Sequence, residues 1–163
     1  MTALEPTSGA EVSNAKLHDD AALVVDVCFS VARDDVVTII TDNAHQALAD
    51  IVADVAGRRG ARPVVVNNEQ QVRRALADTL YPMAPPPALH QAMVNSDEII
   101  IMTNLEWANR FAHTAAVKES CARMAKIASV EEGMGRWPLT VDDIHQAKER
   151  AIQTIRALEG KKP

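Results

Sequence analysis

Ile99, Ile100, Ile101 and Met102 follow one another with no polar residue between them. A strand with one wet face alternates apolar and polar side chains. An unbroken apolar run is what a parallel strand covered on both faces requires. Polar and reactive side chains crowd in behind it: Thr103, Asn104, Glu106, Trp107, Asn109, Arg110 and His113. In open parallel sheets, ligands bind outside the carboxyl ends of the strands, so part of any site is expected here.

The rest of the chain supplies companions for that strand. Val36 to Thr41 (VVTIIT) is a β-branched run bounded by aspartates and reads as a strand. Asn43 and Gln46 then have the spacing of a capping box. Leu48, Ile51, Val52 and Val55 mark one helix face, which stops at Gly57–Gly60. Val64 to Val66 gives a second strand and completes a βαβ unit. A short helix over Glu69 to Thr79, with Val72, Ala75 and Leu76 inward, leads to the proline-rich loop Tyr81 to Pro87. Ala88 to Asn95 reads as a helix and Arg123 to Ser129 as a fourth strand. Thr140 and Asp143 cap a last helix reaching Glu159. Its stripe of Val141, Ile144, Ala147, Ala151, Ile155 and Leu158 is expected to be buried.

Leu17 to Arg33 also has helical spacing, whereas residues 1–16 lack periodicity and read as a flexible leader. Short strands alternating with helices predict a three-layer, Rossmann-like α/β domain over residues 17–163, with a mostly parallel sheet of about four strands.

Composition narrows the function. The net charge is −5, and no dense Lys/Arg cluster offers the basic footprint that nucleic acid needs. No apolar run approaches the roughly 18 residues of a membrane span. No secretion-signal layout opens the chain, so a cytoplasmic location is expected. Cys28 and Cys121 match no metal spacing and read as free thiols of a reducing compartment, with Cys121 buried. The turn after Val36–Thr41 is TDNAHQ, not a glycine-rich dinucleotide fingerprint. P-loop and nucleophile-elbow patterns are also missing, and without the glycine fingerprint a nucleotide-binding oxidoreductase is not expected. GMGRWP, from Gly133 to Pro138, lacks the flanks of a phosphate loop.

His18, His45, His90, His113 and His145 show no paired spacing of metal ligands, so no metal site is expected in this chain. His90 and His145 read as surface residues, and Asp19, Asp20, Asp142 and Asp143 as solvated positions at helix starts. His45 sits in a first helical turn at a strand's carboxyl end, as a structural residue or a ligand contact. His113 is the candidate catalytic residue, because imidazole can move a proton near neutral pH. Its plainer reading is a hydrogen-bonded residue on a helix face. Asn104 and Glu106 could orient it or a substrate, and Trp107 could stack on a substrate or anchor an interface. Thr103 and Thr114 complete the expected substrate-binding set.

Four stretches in order resemble a known family: VVTIITDNAHQALADIVADVAGRRGARPVVV, PPPALHQAMVNSDEIII, AHTAAVKESCARMAKIAS and the long final helix. Together they look like the N-terminal domain of aminopeptidase T-type metallopeptidases, a group that includes 2,5-dihydroxypyridine dioxygenase-like enzymes. Asp97, His113-Thr114 and Ala122 to Ala128 fall at matching places. This chain departs from the pattern in a longer Asp97–His113 interval and in Cys121, where the family tends to have Gly.

The resemblance implies that a divalent metal (zinc, cobalt or iron) is bound by a separate C-terminal domain or partner subunit. This chain alone would then hold no cofactor. Its role would be to cover the active site and contribute contacts to a small-molecule or peptide substrate, within a homo- or hetero-oligomer. The alternative is a free-standing, non-catalytic small-molecule or protein-binding module.

Overall fold

The computed structural model describes residues 13–77, 84–103, 114–130 and 134–159. Helix α1 (Asn14–Ala22) starts on Ser13, whose Oγ accepts from the N–H of Lys16 at 3.2 Å. The helix therefore begins inside the segment expected to be a leader. It widens into a π-helical stretch, Leu23–Phe29, that ends on Ser30 in the left-handed conformation. The wider turn lets Val24, Val25 and Phe29 share one buried face.

Strand β1 (Val36–Thr41), helix α2 (Gln46–Arg58) and strand β2 (Arg62–Asn67) form the expected βαβ unit. Then follow α3 (Glu69–Ala77), α4 (Pro87–Val94), β3 (Glu98–Met102), α5 (Ala115–Ala122), β4 (Lys126–Ser129) and α6 (Val141–Glu159). Pro87 opens α4, where its missing N–H costs nothing.

The strands run parallel in the order β2-β1-β3-β4. β1 and β3 are therefore central, and every residue of β3 is buried, as its unbroken apolar run demands. Alternate residues feed two cores. Ile39, Ile100 and Met102 pack with Val25, Phe29 and Val52 on one face of the sheet. Ile40, Ile99 and Ile101 pack with Val72, Leu89 and Met93 on the other. Each such side chain contributes about 1.5–3 kcal/mol on leaving water.

Polar side chains brace the amino edge of the sheet. The Asp97 carboxylate accepts from the N–H of Val36 at 2.8 Å, and Thr38 and Ser96 share a hydrogen bond of 2.7 Å. Glu98 is buried, with Oε1 3.2 Å from Lys126 Nζ. Asp97 thus lies at the end of the sheet opposite the expected site.

Several expectations need correction. Asn43 and Gln46 do not cap α2; His45 holds the N-cap position, and the neighbouring Asp42 supplies the carboxylate. Asp20 is fully buried: its carboxylate pairs with Lys16 and accepts from the N–H of Gly135 at 2.6 Å, tying α1 to the loop around Gly135. Cys121 is exposed. The stripe on α6 is not buried: Val141, Ile155 and Leu158 are 45%, 55% and 64% exposed, and of its members only Ile144 is even partly covered. Amphipathic spacing shows that a helix has an apolar side; it does not provide the surface that covers it.

Candidate functional site at the carboxyl edge of the sheet

The strand order fixes where ligands have room. From β1 the chain moves outward to β2, then crosses back over β1 to place β3 on the other side. The crevice of such a sheet opens where the order reverses, between the carboxyl ends of β1 and β3. Pairing sets Thr41 level with Asn67 on β2 and with Met102 on β3. One residue further along each strand stand Asn68, Asp42 and Thr103. All three are polar, and they are only 5%, 3% and 6% exposed.

Within this row, Asp42 holds His45. Its Oδ1 accepts from the backbone N–H of His45 at 3.0 Å and lies 2.6 Å from His45 Nδ1. An ionised carboxylate only accepts, so Nδ1 carries the proton and Nε2 is the acceptor nitrogen of the neutral ring. A second network joins the loops after β1 and β2. Asn67 Nδ2 donates to Asn43 Oδ1 at 3.0 Å and to Gln46 Oε1 at 2.9 Å. Glu69 Oε2 accepts from the N–H of Asn43 at 3.1 Å, and its Oε1 pairs with Arg73 Nε at 2.6 Å. The Asn43 N–H first, and Arg73 second, hold the Glu69 carboxyl below its ordinary pKa. Together these contacts fix the ends of β1 and β2 to one another.

Three buried polar atoms at this edge have no hydrogen-bond partner among the described residues: Asn68 Nδ2, Thr103 Oγ1 and Thr114 Oγ1. A buried polar group left unpaired costs about 1–3 kcal/mol, so such groups call for an occupant or a role. Thr114 stands immediately before α5, as its N-cap, with no side-chain capping bond.

His45, Thr103 and Thr114 thus take described positions at or beside the strand ends. Asn104, Glu106, Trp107 and His113 lie outside the described residues. Asn68 was not anticipated; the available signal was an Asn-Asn pair directly behind a strand. Among the described residues, no three His, Cys, Asp or Glu side chains converge to hold a metal ion, and no helix is long and apolar enough to cross a membrane. His90 instead bridges helices, its Nε2 2.9 Å from Glu119 Oε2.

A second concavity adjoins the end of β4, about 380 Å³ in volume. It is apolar, with Leu23, Phe29, Val130, Trp137, Leu139 and Ile144 in its lining. The Cys28 thiol also faces it, and burial pushes that thiol's pKa up.

A parallel sheet flanked by helices and reversing its order at β1 and β3 makes this a Rossmann-like α/β protein. Wild-type AmpT, the aminopeptidase T of Thermus thermophilus, has a similar fold, with a TM-score of 0.50 and 16% sequence identity. The likeness covers 82% of this chain and 41% of that one, so the chain spans less than half of the structure it matches. No protein-family model and no curated protein sequence matches the chain.

Proposed function

We propose that this chain serves as the N-terminal-type α/β domain of a metal-dependent, aminopeptidase T-like enzyme. In this reading it covers an active site whose metal is held by another domain or subunit. The observation that carries the reading is the likeness to AmpT over 82% of this chain but 41% of that one. The polar atoms of Asn68, Thr103 and Thr114 that stay unpaired among the described residues support a role in substrate contact at the strand ends. His45, Thr103 and Thr114 would contribute there, with Asn104, Glu106 and Trp107 from the following segment and His113 as the proton-transferring group. A divalent zinc, cobalt or iron ion would be held by that other domain or subunit; the described residues offer no group of ligands for it. The partner's ligands would decide between peptide hydrolysis and the ring cleavage of dihydroxypyridine dioxygenase-like enzymes.

A second reading is a free-standing, non-catalytic module, favoured by one feature: the apolar concavity beside β4 is of ligand size on its own. Native mass spectrometry with metal analysis, on the protein recovered from its source, separates the two. Association with a metal-bearing domain or subunit, together with loss of that assembly's activity in a folded His113→Ala variant, supports the enzyme. A solitary, metal-free chain carrying a stoichiometric small molecule establishes the module instead.

A further inference from the structure

A cleft of about 440 Å³ lies beside the end of β2, and Asn68 is in its wall. Two helices begin at it. Glu69, Gln70 and Gln71 of α3 line one side, and Ala88 and Leu89 of α4 line the other. The N–H groups of a first helical turn have no acceptor within their own helix, and they carry the positive end of the helix dipole. In α3, Asn67 Oδ1 satisfies the N–H of Glu69 at 3.0 Å, and the backbone oxygen of Asn68 accepts from Gln71 at 2.9 Å. Among the described residues the N–H of Gln70 meets no acceptor, nor do those of Ala88 and Leu89 in α4, whose next N–H, that of His90, bonds to the Pro86 oxygen at 2.9 Å.

The second observation is Asn68 itself. It is 5% exposed, and its Nδ2 has no partner among the described residues. Two helix starts and a buried amide donor therefore meet in one cleft. Glu69 also lines it, but its carboxylate is engaged by the N–H of Asn43 and by Arg73.

We propose that this cleft binds the oxyanion head of a small phosphorylated or carboxylated ligand. Asn68 Nδ2 and the N–H groups of Gln70, Ala88 and Leu89 would be its donors. A phosphate or carboxylate fills only part of the volume, leaving space for the body of the ligand. The site stands on these residues alone and does not depend on the aminopeptidase-like reading.

Titration of the 15N-labelled chain with inorganic phosphate, acetate and chloride tests it by NMR. The expected result is saturable shifts at millimolar concentration, confined to the Asn68 side-chain amide and the N–H groups of Gln70, Ala88 and Leu89. The stronger of phosphate and acetate identifies the head group. Ala88→Pro deletes one donor in a first turn that tolerates proline. It should weaken binding about tenfold, as should Asn68→Leu, since each removes a hydrogen bond to a charged group. Equal shifts at the starts of α2 and α5, a response that chloride reproduces, or undiminished binding by a folded Ala88→Pro variant would overturn the site.

Discussion

The Asp42 carboxylate holds His45 twice, through its backbone N–H at 3.0 Å and through ring Nδ1 at 2.6 Å. One acidic side chain thereby holds the residue at which α2 begins and sets the orientation of its imidazole. Asp42→Ala removes both contacts and should cost about 1–2 kcal/mol, the scale of a lost hydrogen bond to a charged group. His45→Ala keeps the backbone contact and should cost less. Urea denaturation of the two variants gives the ranking. In the wild type, 15N NMR should find the proton on Nδ1 of neutral His45, and Asp42→Ala should erase that preference.

Two turns carry opposite expectations. Gly60 has φ +86°, and an added Cβ would meet Arg33 Cγ at 3.2 Å, so Gly60→Ala should cost about 1–2 kcal/mol. Met124 has φ +70° at the exit of α5 and is 86% exposed. Met124→Gly relieves the left-handed strain without losing packing. After the larger chain entropy of glycine is set against it, a gain of about 0.5 kcal/mol is expected. Thermal unfolding should move the two melting temperatures in opposite directions.

The fold was legible because its strongest signals are local. β1 matches the expected strand from end to end, and the unbroken run at Ile99 states its own double-sided burial. Thr140 and Asp143 form the expected reciprocal cap, with distances of 2.8 and 3.2 Å between each backbone N–H and the other's side chain. Failures arose where two local solutions compete or where a distant surface decides. Asp42 outcompeted Asn43 because its carboxylate reaches the backbone N–H and ring Nδ1 of His45, leaving Asn43 to bind Asn67. Asp20 looks like a surface acid until Gly135 arrives from 115 positions away. Of the candidate site, the polar residues behind β3 were readable. The level row Asn68–Asp42–Thr103 was not, because it exists only through strand register.

Glu98 makes stability depend on pH in an unusual direction. Burial raises its pKa, with Lys126 opposing in part, so the folded chain binds this proton more tightly than the unfolded chain. Its contribution is complete below the ordinary glutamate pKa and is lost as pH rises through the higher folded value. Glu98→Gln mimics the protonated form at all pH values. The variant should match the wild type in acid and become relatively more stable toward neutrality, as read from urea midpoints between pH 4 and 7.

Helix α6 should respond weakly to changes on its apolar side. Ile155→Glu and Leu158→Glu replace residues 55% and 64% exposed, so each should alter stability by less than about 0.5 kcal/mol. Thr140→Ala, which opens the reciprocal cap, should instead fray the first turns. Faster amide exchange there, with little change in the global midpoint, is the expected signature. The hydroxyl of Thr140, and then its N–H, hold the Asp143 carboxyl below its ordinary pKa. This contribution is therefore present above the ordinary aspartate value and is lost as pH falls through the folded one, opposite in sign to Glu98.

The pairing of β1 with β3 shapes how the chain is made. Val36 waits for Asp97, 61 positions later, before the inner edge of β1 can close. During synthesis at roughly 5–20 residues per second, β1, α2 and β2 emerge several seconds ahead of β3. Throughout that interval the VVTIIT edge offers unpaired backbone to any other nascent strand. Expression yield should therefore respond to temperature and to chaperone supply more than the stability of the finished sheet would suggest.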